Sequence, residues 1–423
     1  MNFLRNLHYF MSKCLLIFLT FTCGVLYFTS VALPNNSGNY VNHSNAGFNN
    51  QLLATYQIES THFFPHLPIQ IYTTNRQKFL QLKNPRKQII LLANSFFGDP
   101  QWEISSLKNR TNSGNMSEIL CAFLNNHCEI TNDMDRFHEA DAVVYHAADM
   151  INRSDDKLRT RRQSQRFVFA LWESPKHHHI YDSYNNFFNW SMTYRLDSHI
   201  VTPYYTQYGY RSKDYQLPIE EKFDSRPKSV LFKNINPTQK LGTAAALISN
   251  CDVTTNKRLE LIKDLEKYID VTIYGRCGQP CPNSTTHDRN ACRAYLAERY
   301  YFLLAFENSV CEDYVTEKLF ATLLLPIVPV VYGGANYTRY LPESAFIDAR
   351  KFPSMKELSQ RLIQIRNNVT FYREYFRWKE NMIWDGFTNF FTPFCDLCLR
   401  LHLDNTSNII ENINRWWTKD QCI

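Results

Sequence analysis

Short apolar runs alternate with segments of helical period along this chain, and that alternation constrains the fold more than any other feature. In the second half a strand at Ala244–Ser249 leads to a helix at Thr255–Tyr268, then a strand at Asp270–Tyr274 and a helix at Asn290–Arg299. Tyr301–Phe306 follows as a strand, Tyr314–Leu324 as a helix and Ile327–Tyr332 as a strand. Continuous apolar runs suit strands covered on both faces, and parallel neighbours need a crossover long enough to hold a helix. The pattern predicts an α/β protein. The first half repeats it more weakly, with strands near Gln88–Ala93, Ala142–Tyr145 and Arg166–Trp172. A polar stretch at about Arg211–Lys240 separates the halves. The expected architecture is two α/β halves with a cleft between them.

A second segment fixes where such a chain would work. Cys14–Leu33 carries no charge, and about twenty residues of helix span the roughly 30 Å of a bilayer's hydrocarbon. Arg5 and Lys13 precede it, and no Lys or Arg follows before Arg76. This bias predicts a cytosolic N-terminus with the remainder in the lumen. A cleaved signal peptide is the rival reading, but its apolar region runs to only ~7–15 residues. Pro34–Glu59 is rich in Asn, Ser and Gly and reads as a flexible stem.

Luminal placement predicts glycans and disulfides. Asn-x-Ser/Thr acceptors stand at Asn35, Asn42, Asn109, Asn115, Asn152, Asn189, Asn283, Asn336, Asn368 and Asn405. Beyond Cys14 and Cys23 in the apolar run, the cysteines are Cys121, Cys128, Cys251, Cys277, Cys281, Cys292, Cys311, Cys395, Cys398 and Cys422. Their even number suits a disulfide framework whose pairing the sequence leaves open. The net charge of +6 is spread along the chain without a basic stripe, so no nucleic-acid partner is expected.

Chemistry is expected in Phe306–Phe320, FENSVCEDYVTEKLF, which joins a buried strand to an amphipathic helix. Ligands of open α/β sheets bind beyond the carboxyl ends of strands, and a helix N-terminus there favours phosphate. On the expected helix Tyr314, Glu317 and Lys318 share a face at i, i+3 and i+4. A lysine there can neutralise a diphosphate, and a carboxylate can accept from sugar hydroxyls. Asp313 and Glu317, like charges at i, i+4, are mildly unfavourable on an isolated helix. Three features are set aside. His177–His179 reads as an exposed loop, because consecutive side chains point apart. Asp133-Met134-Asp135 has the spacing of a metal-binding DxD but reads as incidental. Cys395–Cys398 has CxxC spacing without a second pair to complete a zinc site.

FENSVCEDYVTEKLF closely resembles the signature of the α1,3-fucosyltransferase family, glycosyltransferase family 10. VPVVYGGANY (Val328–Tyr337), YGRCG (Tyr274–Gly278), ISNC (Ile248–Cys251), WESP (Trp172–Pro175), YRLDS (Tyr194–Ser198) and CDLC (Cys395–Cys398) match family blocks in the same order. The resemblance implies a GT-B fold of two Rossmann-like domains facing a cleft, preceded by the transmembrane helix and stem. The expected divisions are 1–13 tail, 14–33 anchor, 34–60 stem, 61–225 acceptor-side domain, 226–400 donor domain and 401–423 tail.

It also implies inverting transfer of L-fucose from GDP-fucose, with Glu173 of WESP as general base. The donor residues carried over are Tyr204, Ser249, Asn250, Arg258, Asn308, Tyr314, Glu317 and Lys318. Lys257 rivals Arg258, because one extra residue separates it from Asn250 relative to some members. GDP-fucose is a substrate; no tightly bound cofactor is implied, and a divalent metal is expected at most to stimulate turnover, not to be a bound catalytic ion. The family suggests disulfides from Cys395 and Cys398 back to cysteines such as Cys121 and Cys128, stapling the ends of the two domains. Cysteines in ISNC and YGRCGQPC look more like members that fucosylate the innermost N-glycan GlcNAc of glycoproteins than like the Lewis type acting on lactosamine antennae. A catalytically silent carbohydrate-binding relative is a further alternative, against which the intact Glu173, Glu317 and Lys318 argue. The expected location is the Golgi membrane, single-pass type II.

Overall fold

The computed structural model describes residues 78–79, 81–100, 102, 127–150, 161–178, 180–204, 237–251, 257–282, 289–380, 391–406 and 408–423. The Cys14–Leu33 anchor, the stem, most of the polar connection, Cys121 and the sequons at Asn35, Asn42, Asn109, Asn115, Asn152 and Asn283 lie outside them. Among the described residues no helix is long and apolar enough to cross a membrane.

Two parallel sheets form the frame. The first holds β1 (Gln88–Leu92), β2 (Cys128–Thr131), β3 (Ala142–His146), β4 (Arg166–Leu171), β5 (Trp190–Thr193) and β6 (Ile200–Val201), in the order β2-β1-β3-β4-β5-β6. The second holds β7 (Gly242–Leu247), β8 (Val271–Tyr274), β9 (Tyr300–Phe306), β10 (Val328–Tyr332) and β11 (Ile347–Asp348), in the order β11-β10-β9-β7-β8. Both wind in the same sense: the first strand of each sheet lies between the second and the third. A doubly wound sheet of this order opens a crevice at the carboxyl ends of its first and third strands, where the winding reverses.

Burial on both faces explains why these sequences form parallel strands. On one face of the second sheet Ala244, Ala246, Phe302, Leu304 and Val330 pack against α1 (Arg258–Leu265) and α4 (Met355–Arg366). On the other, Ala245 and Leu303 meet α2 (Arg289–Arg299), while Ala305 and Val331 meet α3 (Glu317–Leu323). Gly334, two residues past β10, lets the chain run close against the motif segment, since a Cβ there would stand 2.4 Å from the carbonyl oxygen of Cys311. After α5 (Val369–Glu374) the chain returns to the first sheet. There α6 (Phe391–Leu403) packs Phe394, Leu397 and Cys398 against Ile90, Val144 and Val168. On the opposite face α7 (Ile413–Thr418) sets Ile413 and Trp417 against Phe167 and Phe169.

This return gives the Cys398 bridge a different task from the one expected. Cys128–Cys398 fastens α6 to the edge strand β2 of the first sheet, although 270 residues separate the two cysteines. Cys395 is also disulfide-bonded. Cys251–Cys277 and Cys281–Cys292 close loops of the second half, and Cys311–Cys422 ties the motif segment to the end of the chain.

The sequons at Asn336, Asn368 and Asn405 are exposed. Asn189 corrects the expectation that it accepts a glycan. It is only 2% exposed, its Oδ1 accepts from the Phe167 amide at 2.8 Å, and its Nδ2 donates to the Asn408 carbonyl at 2.9 Å. That amide nitrogen fastens the segment before α7 to the residue just before β5 and has no room for a sugar. Asp133 likewise caps a turn, its Oδ1 accepting from the Asp135 amide at 3.0 Å.

Candidate active site

The carboxyl ends of β7 and β9 flank the reversal of winding in the second sheet, and the expected donor residues gather there. Ser249 and Asn250 follow β7, and Asn308 follows β9. Arg258, the first residue of α1, bridges the two ends, donating from Nη2 to the Asn250 carbonyl at 2.9 Å and from Nη1 to the Phe306 carbonyl at 3.4 Å. It is 3% exposed, so the guanidinium braces the crevice floor. Burial lowers its pKa, with Glu307 opposing. Lys257 takes a left-handed conformation (φ 53°) and its exposed ammonium faces Glu260 at 3.9 Å. Of the two rivals, only Arg258 enters the site.

Helix α3 begins later than the sequence predicts. Thr316 is its N-cap, the hydroxyl accepting from the Lys318 amide at 3.4 Å. Tyr314 therefore lies in the loop before the helix and shares no helix face with Glu317 and Lys318. Asp313, at φ 57°, is also off the helix, which removes the i, i+4 repulsion with Glu317. Its carboxylate instead accepts from the Leu196 amide at 3.0 Å and from Arg339 at 3.3 Å, joining the YRLDS segment to the second half.

Glu317 lies 3.8 Å from Arg293 of α2 and 3.9 Å from Lys318. Burial raises its pKa, but Lys318, Arg293 and Arg289 outweigh burial and hold the carboxyl below its ordinary value. Lys318 donates from Nζ to Glu307 Oε2 at 2.9 Å and to Thr316 Oγ1 at 2.7 Å. Sequence reasoning singled out neither Glu307 nor Arg293. A charged residue abutting the apolar run of β9 was the available signal for Glu307; Arg293 sits on an ordinary-looking helix and gave none.

The other wall comes from the first sheet. Glu173 stands two residues past β4, and its Oε2 accepts from the Tyr314 hydroxyl at 3.0 Å. Tyr204 donates to the Trp172 carbonyl at 2.7 Å, and its ring meets Tyr314 at 6.1 Å. On Tyr314's other side the ring of Tyr194 lies 5.0 Å away. Burial raises all three phenols well above their ordinary pKa, so they stay neutral, and of the three Tyr204 and Tyr314 donate. Ser174 donates to Ser309 at 2.8 Å, and Ser309 lies 3.1 Å from His177 Nε2. His177 and His178 are thus half-buried against the site, not an exposed loop; His179 lies outside the described residues. Burial lowers the pKa of His178, with Glu173 opposing.

Two sheets thus bring a carboxylate on one wall against cations on the other, the arrangement a group transfer from a phosphate-bearing donor requires. Comparison with known proteins agrees. The family model for glycosyltransferase family 10 (fucosyltransferase), C-terminal part, matches residues 237–416, and that for the fucosyltransferase N-terminal part matches residues 85–205. Alpha-(1,3)-fucosyltransferase C of Drosophila melanogaster is 35% identical over 340 residues, 78% of this chain and 77% of that protein. The human 4-galactosyl-N-acetylglucosaminide 3-alpha-L-fucosyltransferase FUT5 is 32% identical over 296 residues, 69% of this chain and 72% of that protein. A crystal structure of an alpha1,3-fucosyltransferase with GDP-fucose aligns at TM-score 0.48 and 17% identity, covering 77% of this chain and 94% of that one. The chain belongs to glycosyltransferase family 10, the fucosyltransferases.

Proposed function

We propose that this chain is a GDP-fucose-dependent α1,3-fucosyltransferase of GT-B arrangement, transferring L-fucose with inversion to an N-acetylglucosamine of glycoprotein glycans. The observation that carries the reading is Glu173, held at the end of β4 by Tyr314 and facing the cation-lined crevice of the second sheet. One carboxylate oxygen is engaged by Tyr314, and among the described residues Oε1 accepts no hydrogen bond. That oxygen takes the proton of the acceptor hydroxyl. The hydroxyl oxygen bonds to the anomeric carbon of fucose as the bond from that carbon to the diphosphate breaks. GDP leaves with the electron pair, its growing charge met by Lys318 and by the field of Arg258 and Arg293. Glu317 accepts from donor hydroxyls.

Two acceptor positions compete. The cysteines of ISNC and YGRCGQPC favoured the core GlcNAc, yet Cys251–Cys277 and Cys281–Cys292 brace the second half, away from the wall that carries Glu173. Relatives named for galactosyl-N-acetylglucosaminide favour the antenna. The charge bias around Cys14–Leu33 supports a type II anchor with the enzyme in the Golgi lumen.

Secreted protein supplied with GDP-fucose and paired core and lactosamine acceptors tests both levels. Fucosylated product of either kind supports the activity and selects the acceptor. A Glu173→Gln variant is expected to lose ~10²–10⁴-fold in turnover with GDP affinity nearly intact. Undiminished turnover removes Glu173 from the role, and binding without transfer by the wild type favours the silent relative.

A further inference from the structure

Glu307 is the first residue after β9 and is 1% exposed. A carboxylate so deeply placed costs several kcal/mol unless partners surround it. Its Oε1 accepts from the Thr316 amide at 2.8 Å, and its Oε2 accepts from the Thr316 hydroxyl and from Lys318 Nζ, both at 2.9 Å. Lys318 gives a second N–H to Thr316 Oγ1 at 2.7 Å. An ammonium has three donors, so one remains. The Lys318 side chain keeps 21% of its surface accessible, which is where that donor can meet a ligand.

A free lysine is a strongly hydrated point charge on four flexible carbons, with about 2 kcal/mol of rotamer entropy to lose on being fixed. A site that needs the charge in one place benefits from fixing it before the ligand arrives. The charged groups facing Lys318 are Glu307 at the end of β9, Glu317 on its own helix and Arg258 of α1. Arg293 of α2 approaches through Glu317, and the hydroxyls of Tyr204, Tyr314 and Tyr337 border the two carboxylates. Burial alone would lower the lysine's pKa; Glu307 and Glu317 overcome it and raise the pKa above 10.5. Burial pushes the Glu307 carboxyl up, with Lys318 and the Thr316 amide pulling against it.

We propose that Glu307 is a positioning residue of the donor site, which holds the Lys318 ammonium charged and aims its remaining N–H at the diphosphate of the nucleotide sugar. The proposal rests on Lys318 meeting the donor. Glu307 touches no substrate, and its effect passes through the lysine. A carboxylate that merely pinned the loop to α3 would affect folding alike at every pH. One that keeps an amine protonated leaves a signature in the alkaline range.

GDP affinity is measured by calorimetry on wild type, Glu307→Gln and Lys318→Ala between about pH 6.5 and about pH 9.5. Wild type is expected to bind with little change. Glu307→Gln is expected to bind within about fivefold of wild type at the acid end and to weaken by about tenfold or more at the alkaline end. Adding Lys318→Arg to Glu307→Gln should flatten the profile, since a guanidinium stays charged. A loss that is the same at every pH, or no loss, overturns the role of Glu307. Undiminished GDP binding by Lys318→Ala overturns the donor reading of the lysine itself. Should Glu307→Gln fail to fold, the wild type decides: reductive ¹³C-methylation followed by NMR titration should find Lys318 protonated beyond the ordinary lysine range, and a lowered value overturns the proposal.

Discussion

The Tyr314 hydroxyl donates to Glu173 Oε2 at 3.0 Å, joining the loop that precedes α3 in one half to the residue that follows β4 in the other. The bond makes the position of the carboxylate depend on the donor half. Tyr314 is 1% exposed and lies between the rings of Tyr194 and Tyr204, so its hydroxyl has little freedom to look elsewhere. A residue expected to touch the donor thus also orients the group across the cleft.

Replacing Tyr314 with Phe keeps the ring packing and removes the bond to Glu173, together with the hydroxyl's contact to Tyr204. Hydrogen bonds to charged groups are worth about 1.5–3 kcal/mol, so turnover should fall by about 10- to 100-fold, with GDP affinity changing by less than about threefold. Steady-state kinetics with varied donor and acceptor, together with GDP calorimetry, make the check. A variant whose GDP binding collapses in step with turnover would return Tyr314 to a purely donor-binding role.

Asn189 offers a second test, of burial against motif. Glycopeptide mass spectrometry of secreted protein should find Asn189 unmodified, because its side chain bridges the Phe167 amide and the Asn408 carbonyl. Asn189→Ala leaves buried partners unsatisfied and should cost about 1–3 kcal/mol, seen as a lower melting temperature. Asn368 is exposed and caps α5, its Oδ1 accepting from the Phe371 amide at 3.0 Å. A glycan found on Asn189 would mean that the packing of the segment before α7 differs from the one described.

Much of the fold was legible because the strands of the second sheet are buried on both faces. Val271–Tyr274, Tyr300–Phe306 and Val328–Tyr332 fall within a residue of the apolar runs that mark them. Cys128–Thr131 and Trp190–Thr193 were missed, being short and interrupted by polar residues. Where α6 and α7 dock could not be read at all: an amphipathic stripe shows that a face is buried, not against which sheet. The error at α3 has a local cause. Asp313 adopts a left-handed conformation and Thr316 caps, so the apolar spacing that continues back to Tyr314 belongs to a loop. Glu307 gives little away in the sequence, because a lone carboxylate at the end of an apolar run reads as a solvated loop residue until the fold brings Lys318, eleven residues on, against it.

The last expectation concerns pH and a lysine far from the chemistry. Lys379 donates to the Leu325 carbonyl at 3.1 Å, and its ammonium lies 5.2 Å from the Phe376 ring and 5.7 Å from that of Trp378. Burial lowers its pKa from 10.5 to about 7. The native protein therefore releases this proton near neutrality, while the unfolded chain holds it into the usual lysine range. Between those limits the unfolded state binds more protons, so stability rises with pH, by up to about 1.4 kcal/mol per unit from this group. Below the lower limit both states are charged and the burial penalty is felt in full. Lys379→Met removes the titration. The difference in unfolding free energy, wild type minus variant, should climb from about pH 7 to about pH 9.5, followed by urea denaturation at each pH. A difference that stays level, or falls, would mean that the ammonium keeps its proton in the folded protein, held by the carbonyl and the two aromatic faces.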